Sequence, residues 1–194
     1  MLQYLVIVGV LFQLSGSLVY IVKTIRGETK PNKITWFMWS VAPIIGTFAT
    51  INTGVTWAVL PVFMSGFGPF LIFCSSFVNK NAYWKLEKFD YLCGVFSLLA
   101  LGLWYITKDP VIAIIFSIMS DGAAAIPTLV KAWKYPETES AIGFLFASIS
   151  CFIGLLVIKN WVFPKYGFLV YLIITDLSFV FFIWRKKIFK TEKK

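Results

Sequence analysis

Residues 110–132 read PVIAIIFSIMSDGAAAIPTLVKA. A helix needs about 20 predominantly apolar residues to cross about 30 Å of hydrocarbon, and this stretch supplies them in one unbroken run. Its exceptions carry the information: Asp121 in the middle, Pro127 beyond it, and Lys131 at the end. Working outward, six more runs of similar character cover approximately 2–24, 33–53, 56–78, 89–107, 140–159 and 163–185. The connections between them are short and leave no room for a soluble domain. A β-barrel would show alternating segments of about ten residues; these runs are continuous and too long. The expected fold class is therefore an all-α membrane protein with seven transmembrane helices.

The bulk composition agrees. Of 194 residues, 59% are hydrophobic and 14% charged, with a mean hydropathy of +0.81. Soluble domains are about half apolar and about a quarter charged, so this chain has too little polar surface to coat a water-soluble globule. The net charge of +9 does not point to nucleic acid, because the basic residues lie between apolar runs and in the tail rather than along one helical face. Cys74, Cys93 and Cys151 all fall inside apolar runs without metal-ligand spacing, and histidine is absent. That excludes His-ligated haem, His zinc motifs and His proton relays. No metal, cofactor or catalytic residue is expected, and any proton chemistry falls to carboxylates. The start, Met-Leu-Gln, lacks the basic region of a signal peptide, so the first run is read as a retained span.

Loop charge sets the expected orientation. One side receives Lys23, Arg26, Lys30 and Lys33, then Lys80, Lys85 and Lys88, then Lys131 and Lys134, and finally the tail from Arg185 to Lys194. The other side receives only Lys108, Lys159 and Lys165. This bias puts the N-terminus outside and the C-terminus in the cytoplasm, in a plasma or inner membrane. An odd number of spans follows, which favours seven over six. The basic tail is a topology anchor that also attracts anionic lipid.

Shifting the chain by 108 residues lays its second half on its first. Val22-Lys23 meets Val130-Lys131, Ile34 meets Ile142, Ser40 meets Ser148, Ile45-Gly46 meets Ile153-Gly154 and Asn52 meets Asn160. From 22 to 52 the identities are 7 of 31, but the register holds without a gap, and spans one to three fall on spans five to seven. Span four has no counterpart. The expected organisation is a first three-helix repeat over 1–80, a linker helix over 81–108, a second repeat over 109–188 and a basic tail over 189–194. Three spans reverse the chain, and one linker helix restores a parallel orientation. The result is a pseudo-two-fold axis along the membrane normal, with a cavity near the midplane.

This 3-1-3 arrangement, with a basic cytoplasmic loop after spans one and five, resembles the SWEET and PQ-loop superfamily. The family's Pro-Gln dipeptide stands here as Pro127-Thr128, with Val19-Tyr20 at the matching place in the first half. The resemblance implies transport: the superfamily includes sugar uniporters, proton-coupled amino-acid exporters and a nicotinamide riboside transporter family.

The candidate site residues are the polar ones inside the spans. Asp121 lies about 16 Å into span five at 1.5 Å per residue, and Asp176 lies at similar depth in span seven. An ionised carboxyl there costs several kcal/mol unless it faces a cavity or a partner, and neither span offers a nearby basic residue. Cation binding or proton coupling is one reading; a protonated carboxyl that holds helices together is the other. Asp121 aligns with Gln13 and Asp176 with Gly68, so the acids are not duplicated. Helical spacing then sets Ser117 and Thr128 with Asp121 on one stripe. Gln13, Ser17 and Tyr20 share a stripe of span one, Trp36, Ser40, Pro43 and Thr47 one of span two, and Ser148 and Cys151 one of span six. These stripes could enclose one polar cavity, or could be small-residue packing. Trp36 and Trp39 could form an interfacial aromatic belt or a platform for a ring. Pro43, Pro69 and Pro127 are candidate hinges. Asn52 and Asn160 read as caps or parts of an outer gate.

The leading expectation is a transporter that moves a small polar metabolite, sugar-like, cationic or zwitterionic, by rocking one repeat against the other. Its partners are that solute and the bilayer, and a monomer suffices in principle. The alternative is a receptor or sensor of the same architecture, as in the KDEL-receptor group. A rhodopsin is disfavoured because span seven has no interior Lys. An intramembrane aspartyl protease is disfavoured because no Gly-x-Gly-Asp surrounds either acid.

Overall fold

The computed structural model describes residues 2–51, 57–80, 82, 84–107 and 109–190. Among these the chain forms seven α-helices and no strand: α1 (Leu2–Ile25), α2 (Lys33–Ile51), α3 (Val59–Ser75), α4 (Lys88–Thr107), α5 (Pro110–Lys134), α6 (Ala141–Leu156) and α7 (Phe163–Lys190), with a 3-10 turn at Pro136–Thr138.

Local chemistry sets several of the helix ends. α1 closes on Gly27, whose φ of 78° is the left-handed conformation that glycine adopts without strain. The Gly27 N–H donates to Thr24 O at 3.0 Å and the Glu28 N–H to Lys23 O at 2.9 Å, which is a Schellman closure. Asn32 caps α2, its Oδ1 accepting from Ile34 N at 3.1 Å and Thr35 N at 3.3 Å. Its Nδ2 donates to Asp90 Oδ1 at 2.7 Å, which ties the start of α2 to the start of α4. Asp109 caps α5 by accepting from Val111 N and Ile112 N, with Pro110 as the first helical residue, a position where proline's missing N–H costs nothing.

Two helices are shorter than the apolar runs that encode them. The run over 56–78 yields a helix only from Val59 to Ser75, ending where the Ser75 and Ser76 hydroxyls donate to Ile72 O and Phe73 O. The run over 140–159 stops at Leu156, with a turn closed by Ile158 N on Leu155 O at 3.2 Å. By contrast, α7 runs past 185 to Lys190. Arg185 holds it there, donating to Ala132 O at 3.3 Å and to Trp133 O, with its guanidinium 4.0 Å from the Trp133 ring. Apolarity marks where lipid could be, whereas backbone hydrogen bonding decides where a helix ends.

Helices α1, α5 and α7 are long and apolar enough to cross a membrane, over Tyr4–Ile25, Val111–Lys134 and Phe163–Lys186; α3 and α6 are shorter apolar helices. Large apolar residues lie on the outside as well as in the core, and several polar residues are buried. Leu11, Phe12, Leu98, Leu99, Ile174 and Phe181 face outward, while Gln13, Ser17, Ser117, Asp121 and Ser150 are buried. Both features mark a membrane-associated chain.

α1 packs on α6 and α3, α2 on α3 and α5, α5 on α4 and α7, and α6 on α7. The interior apolar residues form two clusters, one around Tyr20, Trp36, Trp39, Phe144 and Phe179, the other around Val62, Ile114, Phe168, Leu169 and Leu172. Where α1 crosses α6, glycine permits close approach. A Cβ on Gly16 would lie 3.0 Å from Phe146 Cβ and 3.2 Å from Gly143 Cα. Gly16→Leu is expected to cost about 1–3 kcal/mol by overpacking, read as a lower unfolding midpoint in detergent. An unchanged midpoint would contradict this crossing.

Candidate functional site

Tracing the intramembrane polar residues through the fold leads to one cavity of about 60 Å³. From α1 it takes Gln13, Ser17 and Tyr20; from α2, Trp36 and Trp39; from α3, Met64, Ser65, Pro69 and Ile72. From α5 comes Asp121; from α6, Gly143, Phe144 and Ala147; from α7, Leu172, Thr175 and Asp176. Six helices contribute, and among the described residues α4 contributes none. Among the described residues no Lys or Arg lines the cavity.

Asp121 is 3% exposed, and its Oδ2 accepts from the Tyr171 hydroxyl at 2.9 Å. Its backbone carbonyl accepts from Trp39 Nε1 at 3.3 Å, which fixes Trp39 against α5. Asp176 has neither a hydrogen bond nor an ion pair among the described residues. The Gln13 amide donates to Ser65 Oγ at 2.9 Å and bridges α1 to α3, while its Oε1 is buried and unpaired. Trp36 is 4% exposed with an unpaired Nε1, so it serves the interior and not an interfacial belt. Its ring lies 4.7 Å from Tyr20, 5.1 Å from Trp39 and 6.2 Å from Phe144, centroid to centroid.

The structure thus gathers Gln13, Trp36, Asp121, Asp176 and Pro69 around one space. It places the other candidates elsewhere. The Ser40 hydroxyl donates to Phe37 O at 2.6 Å and the Ser148 hydroxyl to Leu145 O at 2.8 Å, each within its own helix. Ser117 is fully buried with an unpaired Oγ, away from the cavity lining. Pro43 and Pro127 are buried inside α2 and α5 without lining it. Asn52 lies outside the described residues, and Asn160 is exposed.

A second polar cluster sits at the end of α5. Lys131 pairs with Glu139 at 2.5 Å, the two side chains 1% and 0% exposed. The Tyr20 hydroxyl donates to the other Glu139 oxygen at 2.5 Å, and Lys131 also donates to Lys30 O. The Lys131 ammonium lies 4.8 Å from the Trp84 ring centroid. Nearby, Thr128 donates to Thr35 Oγ1 at 2.9 Å, and Thr35 donates to Ala124 O at 2.8 Å, joining α5 to α2. Sequence reasoning counts Lys131 as a loop charge and misses this cluster. It also misses Tyr171, which reads as one more apolar residue of its run. The 108-residue register could have flagged Phe144 as the counterpart of Trp36.

Comparison with known proteins gives no match to a family model, a curated protein or a solved structure.

Proposed function

We propose that the chain is a seven-span transporter for a small polar metabolite. It works by alternating access between α1–α3 and α5–α7, with α4 as linker, in the 3-1-3 manner of the SWEET and PQ-loop superfamily. The observation that carries this reading is the carboxyl-bearing cavity enclosed by six helices of an otherwise apolar bundle. A mostly apolar wall that carries two carboxyls and an amide fits a solute site at a repeat interface.

Two features support the paired-unit reading. Exchanging α1, α2 and α3 for α5, α6 and α7 maps the packing onto itself: α1 on α6 becomes α5 on α2, α1 on α3 becomes α5 on α7, and α2 on α3 becomes α6 on α7. Half of the cavity lining obeys the same exchange. Under the 108-residue shift Gln13 pairs with Asp121, Trp36 with Phe144, Trp39 with Ala147 and Met64 with Leu172, and all eight residues line it. Neither acid recurs in the first half: Asp121 corresponds to Gln13. Asp176 corresponds to Gly68, where a Cβ would lie 2.4 Å from Ser17 Oγ.

On this reading Asp121 and Asp176 bind the solute and couple its movement to protons, Pro69 is a hinge beside the site, and Pro43 and Pro127 are hinges away from it. The basic loops face the cytoplasm. Purified protein in proteoliposomes, challenged with a panel of radiolabelled sugars, amino acids and amines, is expected to accumulate at least one of them above protein-free vesicles. Folded protein that moves none would overturn the transporter reading, and binding without flux would make the chain a receptor.

A further inference from the structure

Resting on the solute-cavity reading above, we infer that the bound solute is a small organic ammonium ion carrying a hydroxyl or carbonyl oxygen, and not a sugar or an anion. Charge excludes the anion first. Two carboxyl side chains line the cavity, and among the described residues no basic side chain there offsets them. Hydrogen-bond inventory then narrows the cation. The Ser17 and Ser65 hydroxyls already donate to carbonyls of their own helices, at 3.1 Å to Gln13 O and 2.9 Å to Pro61 O. The Tyr20 hydroxyl donates to Glu139, and the Trp39 indole to Asp121 O. A sugar would find few free donors for its hydroxyl oxygens, and it brings no charge to balance the two carboxyls.

What remains open is specific. Gln13 Oε1 is an unpaired acceptor on a residue 3% exposed, and Trp36 Nε1 an unpaired donor on a residue 4% exposed. Asp176 adds an acceptor without a hydrogen-bond or ion-pair partner among the described residues. Buried polar atoms of this kind normally have partners. An ammonium supplies N–H donors to the carboxyl and to Gln13, and an oxygen on the same molecule accepts from Trp36. The rings of Tyr20, Trp36, Trp39 and Phe144 complete the wall, each lining the cavity. Such faces attract a desolvated cation.

The test is equilibrium binding to the purified full chain in detergent, read by calorimetry and by intrinsic tryptophan fluorescence. Protonated ethanolamine is the probe, with propylammonium, acetate and glucose as comparators. Ethanolamine is expected to bind and to change the emission, propylammonium to bind more weakly for want of an oxygen, and acetate and glucose not to bind. Asp176→Asn should weaken ethanolamine about thirtyfold or more, the lower range for removing one partner of a buried charge pair. Gln13→Met, which leaves the carboxyls in place, should weaken it by a smaller factor and serves if Asp176→Asn does not fold. Binding of glucose or acetate in preference to ethanolamine, or no ethanolamine binding by folded protein, overturns the inference. Binding is measured apart from transport, so ethanolamine binding without flux removes the transporter and leaves the ligand class standing.

Discussion

Asp121→Asn is expected to abolish uptake driven by a pH gradient while leaving solute exchange intact. Asparagine keeps the size of the side chain and an oxygen that can still accept from Tyr171, which now sits 2.9 Å from Asp121 Oδ2. It cannot take up or release a proton. If Asp121 is the coupling group, the pH dependence vanishes while the binding surface survives. The measurement is uptake into proteoliposomes at fixed inside pH and varied outside pH, alongside counterflow. Wild-type pH dependence in the variant would remove Asp121 from the coupling role and leave Asp176 as the candidate.

The second large effect concerns stability. Glu139→Ala should destabilise the protein by about 3–5 kcal/mol, because it leaves the Lys131 ammonium buried without its partner. The pair is 2.5 Å apart with both side chains within 1% of full burial. Lys131→Met combined with Glu139→Leu should recover most of that loss, since apolar replacement of a whole buried pair is often neutral. Thermal unfolding in detergent measures both. A single variant within about 0.5 kcal/mol of wild type, the range of ordinary surface substitutions, would mean the pair is solvated. The cluster also touches function, because Tyr20 lines the cavity and donates to Glu139. On the alternating-access reading, opening toward the basic loops requires that contact to break.

The helices were legible because each is an unbroken apolar run, and the polar residues inside such runs stand out. Gln13, Asp121 and Asp176 are exceptions of that kind, and they meet around one cavity. Their apolar neighbours in the site were not legible. Met64, Phe144, Leu172 and Tyr171 look like any lipid-facing residue until the packing turns them inward. Small hydroxyls misled for the opposite reason. Ser40 and Ser148 fall on polar stripes, yet each donates to a carbonyl of its own helix, an option open to serine in any helix. Lys131 escaped because position in a run cannot distinguish a loop charge from one buried on a last turn; its partner lies eight residues on, across a 3-10 turn. Helix ends escaped wherever backbone geometry rather than apolarity sets them, as at Ser75, Leu156 and Lys190.

On the transporter reading, one interior cavity opens alternately to the two sides of the membrane. Thr175 lines it and precedes Asp176 in sequence. With Cys74, Cys93 and Cys151 replaced, Thr175→Cys in oriented vesicles can be probed with a membrane-impermeant thiol reagent added to one side at a time. The account predicts labelling from either side, with the proportions shifted by a transported solute. Labelling from one side only, under every solute condition, would contradict alternating access and leave a cavity with a single mouth.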